Sequence, residues 1–161
     1  MNRIDGLLRD LHAAESDLAT LLLHVSDRHR AEHEVFHVAR DLAAWSEEHI
    51  RQLAVVGRGR GLSLDPEHAE DDTVLARLRQ RTGELLGRRS EAGLLLLADL
   101  REVHVKAAGV SVDWVMLGQV AQAVRDHELL ELTSRCHPQT LRQLRWANAT
   151  IKVAAPQILS G

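Results

Sequence analysis

The chain has 161 residues, with 20 Lys plus Arg against 23 Asp plus Glu, a formal charge of -3, 45% apolar residues and 2% aromatic residues. That length suits one domain with a real core, and the slight acidic excess argues against a general nucleic-acid binder, whose footprint is a strong basic surplus. With no Tyr, one Phe and a single Cys136, the composition disfavours an all-β sandwich or barrel and excludes both an internal disulfide and a cysteine-based zinc framework. The first ten residues mix charges with leucines, unlike a leader peptide or an anchor. The expectation is a cytoplasmic protein with no membrane or nucleic-acid partner.

From residue 4 to 25, Ile4, Leu8, Leu11, Leu18, Leu22 and Val25 recur in steps of three and four, and Glu15 fills the one gap. This spacing predicts a first long helix with a carboxylate in the middle of its apolar stripe. Polar residues 26–30 interrupt it, and then Val35, Val38, Leu42, Trp45, Leu53 and Val56 resume the pattern with His49 in the gap. A second helix is therefore predicted over about 31–56, antiparallel to the first across a turn near 26–31. Gly57, Gly59 and Gly61 end it and open a crossover spanning about 57–90. Within the crossover, Val74, Leu75, Leu78, Leu85 and Leu86 form a short amphipathic piece. Its arginines (Arg77, Arg79, Arg81, Arg88 and Arg89) balance the acidic run 67–72 rather than mark a nucleic-acid stripe.

A third helix follows Leu96, Leu100, Val103, Ala107, Val110, Trp114, Leu117, Ala121 and Val124. Val103, Val105, Val110 and Val112 also alternate with period two around Gly109, but one isolated strand would have nothing to pair with. The last apolar series is Leu130, Leu141, Leu144, Ile151 and Ile158, and His137-Pro138 predicts a break with a helix restarting at the proline and running to about 155. The fold class read from the sequence is all-α: an antiparallel four-helix bundle with one long crossover between helices two and three.

The helix lengths, the single crossover, LHAAESDLATLLLHV at 11–25 and AAWSEEHIRQL at 43–53 resemble the ferritin-like superfamily, closest to its small bacterial stress-associated members. The resemblance implies a di-iron site in which two helices each supply a carboxylate and the other two a Glu-x-x-His. Glu15 and His49 stand where such ligands project. Ser46, however, occupies the position three before His49 that should be acidic. In the third helix Glu102 points away from the stripe and Asp99 flanks it; in the fourth the seam offers His137 and Asn148, with Arg142 and Arg145 where the family has acidic residues. One assured carboxylate against four implies that the complete di-iron set is lost.

Two readings of the centre follow. In one, Glu15 and His49 are a buried polar pair that fixes helix register, offset by roughly 8 Å along the axis at about 1.5 Å per residue. In the other they ligate iron, manganese or zinc in a reduced site. A third pattern, His33-Glu34-Val35-Phe36-His37, matches the His-Glu-x-x-His of zinc peptidases, in which His33 and His37 would bind zinc. Both histidines lie opposite the apolar stripe, and no third ligand follows. His24, His29, His33 and His37 gather at the first turn, to which the start of the third helix returns, bringing Asp99 or His104 towards a peripheral metal site. Cys136 lacks a suitably spaced base and reads as a packing residue. Trp45 and Trp114 fall on apolar stripes, and Trp146 falls off the fourth seam. The sequence thus predicts a binding or scaffold bundle that self-associates, with a dimer favoured. A metal-binding bundle is the alternative and a zinc peptidase the distant one.

Overall fold

The structure, a computed structural model, describes residues 2–69 and 92–161, together with Thr73, Ala76, Arg77 and Gln80. The described residues contain four long helices, α1 (Arg3–Arg28), α2 (His33–Gly59), α3 (Ala92–Val124) and α4 (His127–Leu159), and no strand. The third helix runs straight through Val103–Val112, so the period-two alternation is not a strand. The apolar residues of the amphipathic piece, Val74, Leu75, Leu78, Leu85 and Leu86, and the arginines at 79, 81, 88 and 89 lie outside the described residues. No helix among the described residues is long and apolar enough to cross a membrane.

Local chemistry sets the helix ends. Asn2 accepts from the Ile4 amide at the start of α1, and Asp126 accepts from the Leu129 amide at the start of α4, each satisfying a donor that the first turn leaves open. Past the end of α2, Gly61 takes φ +81, and the amides of Gly61 and Leu62 donate back to Arg58 and Gly57 at 3.1 and 2.8 Å. That is the paired-bond cap that favours glycine. Arg125 (φ 56) does the same after α3 without a glycine. Arg60 then links three helix ends, donating to Asp5 of α1 at 2.9 Å and to Asp126 of α4 at 3.3 Å.

Helix α1 packs on α2 and α3, and α4 packs on α3 and α2. The core between them is lined by Leu8, Leu11, Leu18 and Leu22 of α1, Leu53 of α2, Leu100, Trp114 and Leu117 of α3, and Leu129 and Leu132 of α4, all fully buried. Each such leucine contributes about 2 kcal/mol of transfer free energy. Trp45, expected in the core, is half-buried at its edge. The described beginning of the crossover is fastened along α1: His12 Nε2 bonds the Asp65 carbonyl at 2.7 Å, Ser16 donates to the Ala69 carbonyl at 3.2 Å, and the Thr20 hydroxyl bonds His68 at 2.7 Å.

The fourth helix differs from the sequence expectation in two ways. It is continuous through His137-Pro138, with Pro138 in its interior. One absent backbone hydrogen bond and the ring's clash with the preceding turn are outweighed by packing on both sides, from Thr133 and Cys136 before the proline to Thr140 and Gln143 after it. Its buried face is Leu129, Leu132, Thr133, Cys136, Thr140, Gln143 and Ala147, whereas Leu130, Leu141, Leu144, Ile151 and Ile158 are half-buried flanks and Asn148 is exposed. Because Pro138 is exposed, Pro138→Ala should restore the amide donor without disturbing the core and stabilise the protein by about 1–3 kcal/mol. Urea unfolding checks this. A destabilised variant would mean that the proline ring itself contributes to the fit of α4.

Candidate functional site

Glu15, at the middle of the α1 stripe, is fully buried, as are Ser46 and His49 on α2. A carboxylate there must be satisfied by the neighbouring helices, because burial removes the water that would otherwise solvate it. Both oxygens are engaged. Ser46 Oγ donates to Oε1 at 3.4 Å, and His49 Nδ1 donates to Oε2 in a short contact. Across the centre, His49 Nε2 hydrogen-bonds the side-chain Oε1 of Gln139 at 2.7 Å, while Gln143 Nε2 donates to the Leu42 backbone carbonyl at 2.8 Å and to Ser46 Oγ at 2.9 Å. The result is a chain running Gln143, Ser46, Glu15, His49, Gln139, with the edge of the His49 ring against Trp114 at 6.0 Å between centroids.

The direct Glu15–His49 contact corrects the expected 8 Å offset. Helix α1 continues to Arg28 and α2 begins at His33, so the turn is centred later than the sequence indicates and Glu15 comes level with Ser46. The Glu15 carboxylate and the Gln139 Oε1 facing its two ring nitrogens favour the protonated imidazolium of His49. Burial pushes its pKa down, but the Glu15 carboxylate, by charge and by hydrogen bond, and the Gln139 acceptor more than offset that, so the net shift is upward from 6.5.

Two amides of this centre, the acceptor Gln139 and the donor Gln143, are not among the fourth-helix residues that the sequence singles out. A signal was present all the same. Thr133, Cys136, Thr140, Gln143 and Ala147 repeat in alternating steps of three and four, a seam written in small and polar residues. His137, placed on the seam by the sequence, instead shares a hydrogen bond with Ser111 of α3 at 2.9 Å, and burial holds its pKa down. Cys136 faces the interior beside Gln52, and burial pushes its thiol up to about 12, which disfavours the thiolate a nucleophile needs.

A di-iron group does not fit this donor set. The centre presents one carboxylate, one imidazole, one hydroxyl and two amides, and Glu15 and His49 each spend both polar atoms on protein partners. Among the described residues, no group of three or more His, Cys, Asp or Glu is placed to hold a metal ion. His33, Glu34 and His37 are exposed, with the two rings 4.5 Å apart on the outside of α2, so the peptidase pattern lines no cleft. At the first turn, Asp99 reaches His29 at 2.7 Å and Arg28 Nε at 3.3 Å. The expected approach of α3 to that end therefore occurs, as a buried ion-pair cluster, while His33 and His37 stay outside it.

No family model, no curated protein and no solved structure matches this chain.

The upward shift of His49 has a definite pH sign. Its stabilising contribution is complete below the unfolded pKa of 6.5 and is lost as pH rises through the higher folded value. Comparing wild type with Glu15→Gln by urea denaturation, the wild-type advantage should therefore shrink as pH rises above 6.5, by at most about 1.4 kcal/mol per pH unit for one proton. An advantage that grows with pH would mean that His49 is neutral in the folded protein.

Proposed function

We propose that the protein is a non-catalytic helical bundle of ferritin-like topology, a binding or scaffold protein whose centre is closed by a hydrogen-bonded polar network in place of a metal site. The observation that carries this reading is the hydrogen-bonded chain from Gln143 to Gln139, in which Ser46 takes the place of an acidic ligand and donates to Glu15. The order of the contacts supports the topology. Asp17 pairs with Lys106 while Arg28 meets Asp99, and Leu42 accepts from Gln143 while Gln52 accepts from Arg135, so numbers rise along one helix as they fall along its neighbour. Neighbours are then antiparallel, and α2 and α3 run the same way. That demands a crossover along the whole bundle.

The test compares single and double substitutions with metal binding. Glu15→Leu or His49→Leu alone should cost about 1–3 kcal/mol or more, through a partner left buried and unsatisfied, and the double substitution should cost much less than the sum. Elemental analysis of untagged protein should give a metal stoichiometry near zero, and added iron, manganese or zinc should leave the melting temperature unchanged. Stoichiometric metal that vanishes in both single variants, with melting that rises with metal concentration, would establish the metalloprotein reading instead.

The peptidase pattern gives a separate expectation. Glu34→Gln should leave stability within about 0.5 kcal/mol, as for other surface substitutions, and should alter no activity. Chelator-sensitive proteolysis abolished by that substitution would overturn it.

A further inference from the structure

The two amides of the centre are held differently. Gln143 is fully buried, and its Nε2 is committed both to the Leu42 carbonyl and to Ser46 Oγ, so it is not free to turn. Gln139 is half-buried, and among the described residues its amide is held by His49 alone. An amide carries an acceptor at one end and two donors at the other in nearly the same shape, so either end fits the same neighbour. Facing it is the one kind of group that changes role in the same way, a ring nitrogen that donates when protonated and accepts when not.

The order in which His49 gives up its protons follows from its partners. Nδ1 faces the Glu15 carboxylate, and Nε2 faces Gln139 Oε1. A hydrogen bond to a carboxylate is roughly twice as strong as one between neutral groups. The neutral ring therefore keeps its proton on Nδ1 and loses the one on Nε2. That sets the lone pair of Nε2 against those of Oε1, at a fully buried ring that water does not reach. Turning the amide over removes the conflict, because Gln139 Nε2 then donates to the ring.

We propose that Gln139 turns its amide over when His49 loses its Nε2 proton, so that the centre is hydrogen-bonded in both states and the change is carried to the half-exposed edge of α4. The proton goes to water, and the end of the amide that faces away from the ring changes from donor to acceptor. The other groups around the ring leave this exchange to Gln139. Glu15 of α1 and Glu48 beside it on α2 favour the charged ring. Helix α3 presents the Trp114 ring. On α4, Arg135 and the Cys136 thiol, whose pKa burial pushes up to about 12, both bond Gln52, and His137 turns to Ser111. The inference rests on the polar reading of the centre, since a metal on Nε2 would displace Gln139 at every pH.

The experiment is a pH titration of the isotope-labelled full chain followed by NMR. As pH rises, the His49 Nε2 resonance should move from its protonated to its unprotonated position while Nδ1 stays protonated, and one side-chain amide proton of Gln139 should move downfield with the same midpoint. Gln139→Glu removes that amide signal, which assigns it, and should raise the His49 pKa by about 1–3, because a carboxylate accepts and does not donate. Three results would each overturn the proposal: Nε2 deprotonating with the Gln139 amide signals unchanged, Nδ1 losing its proton first, or Nε2 staying protonated until the chain unfolds. Any of them in a protein with metal stoichiometry near zero would leave the functional reading standing, so the two fail separately.

Discussion

The arrangement of this bundle depends on a carboxylate with no access to water. Glu15 needs donors on two sides, and the helices that provide them are fixed in position by doing so. Ser46 and His49 set the height of α2 against α1, and Gln139 and Gln143 set α4 against α2. Sliding α2 by one turn would bring the apolar side chains of Leu42 or Ala43 to the place of Ser46 and take the His49 imidazole away from the carboxylate. Such a loss typically costs about 3–5 kcal/mol for a buried ion pair broken on one side. The surrounding leucines would tolerate many registers, since apolar contact has no direction. The polar centre does not.

Much of the architecture was legible because the apolar residues of α1 and α2 repeat at helical spacing and because Glu15 and His49 each occupy the single gap in their stripes. What the sequence hid was the relation between those two gaps. A shift of two or three residues in where α1 stops and α2 starts decides whether Glu15 and His49 touch, and the polar residues 26–32 carry little periodic signal to fix it. The face of α4 was misread for a different reason. Beyond Leu129 and Leu132 its leucines and isoleucines flank the core, whereas the rest of its buried line consists of threonine, cysteine, glutamine and alanine, the two threonines returning their hydroxyls to the carbonyls of Leu129 and Cys136. Tertiary demand for hydrogen-bonding partners overrode the usual rule that the apolar side faces in. Pro138 was misread because a local penalty was weighed without the packing on either side of it.

The valines of α3 show the same tension from the outside. Val103 and Val110 are buried and Val105 and Val112 are exposed, so the period-two alternation records two faces of one helix, both apolar. A helix that is apolar on both faces loses the amphipathic contrast from which helices are read. Ambiguity in such a segment is itself informative about burial.

The crossover strap is fastened to α1 by His12, Ser16 and Thr20, one helical turn apart, as far as Ala69. A chain severed between 70 and 91 would therefore divide cleanly: one fragment would carry α1, α2 and the strap, the other α3 and α4. Each would keep a helix pair joined by its own turn. The polar centre and the Asp99 cluster would then span two molecules, and the fold would become an association governed by fragment concentration, with Glu15 and His49 on one piece recognising Gln139 and Gln143 on the other.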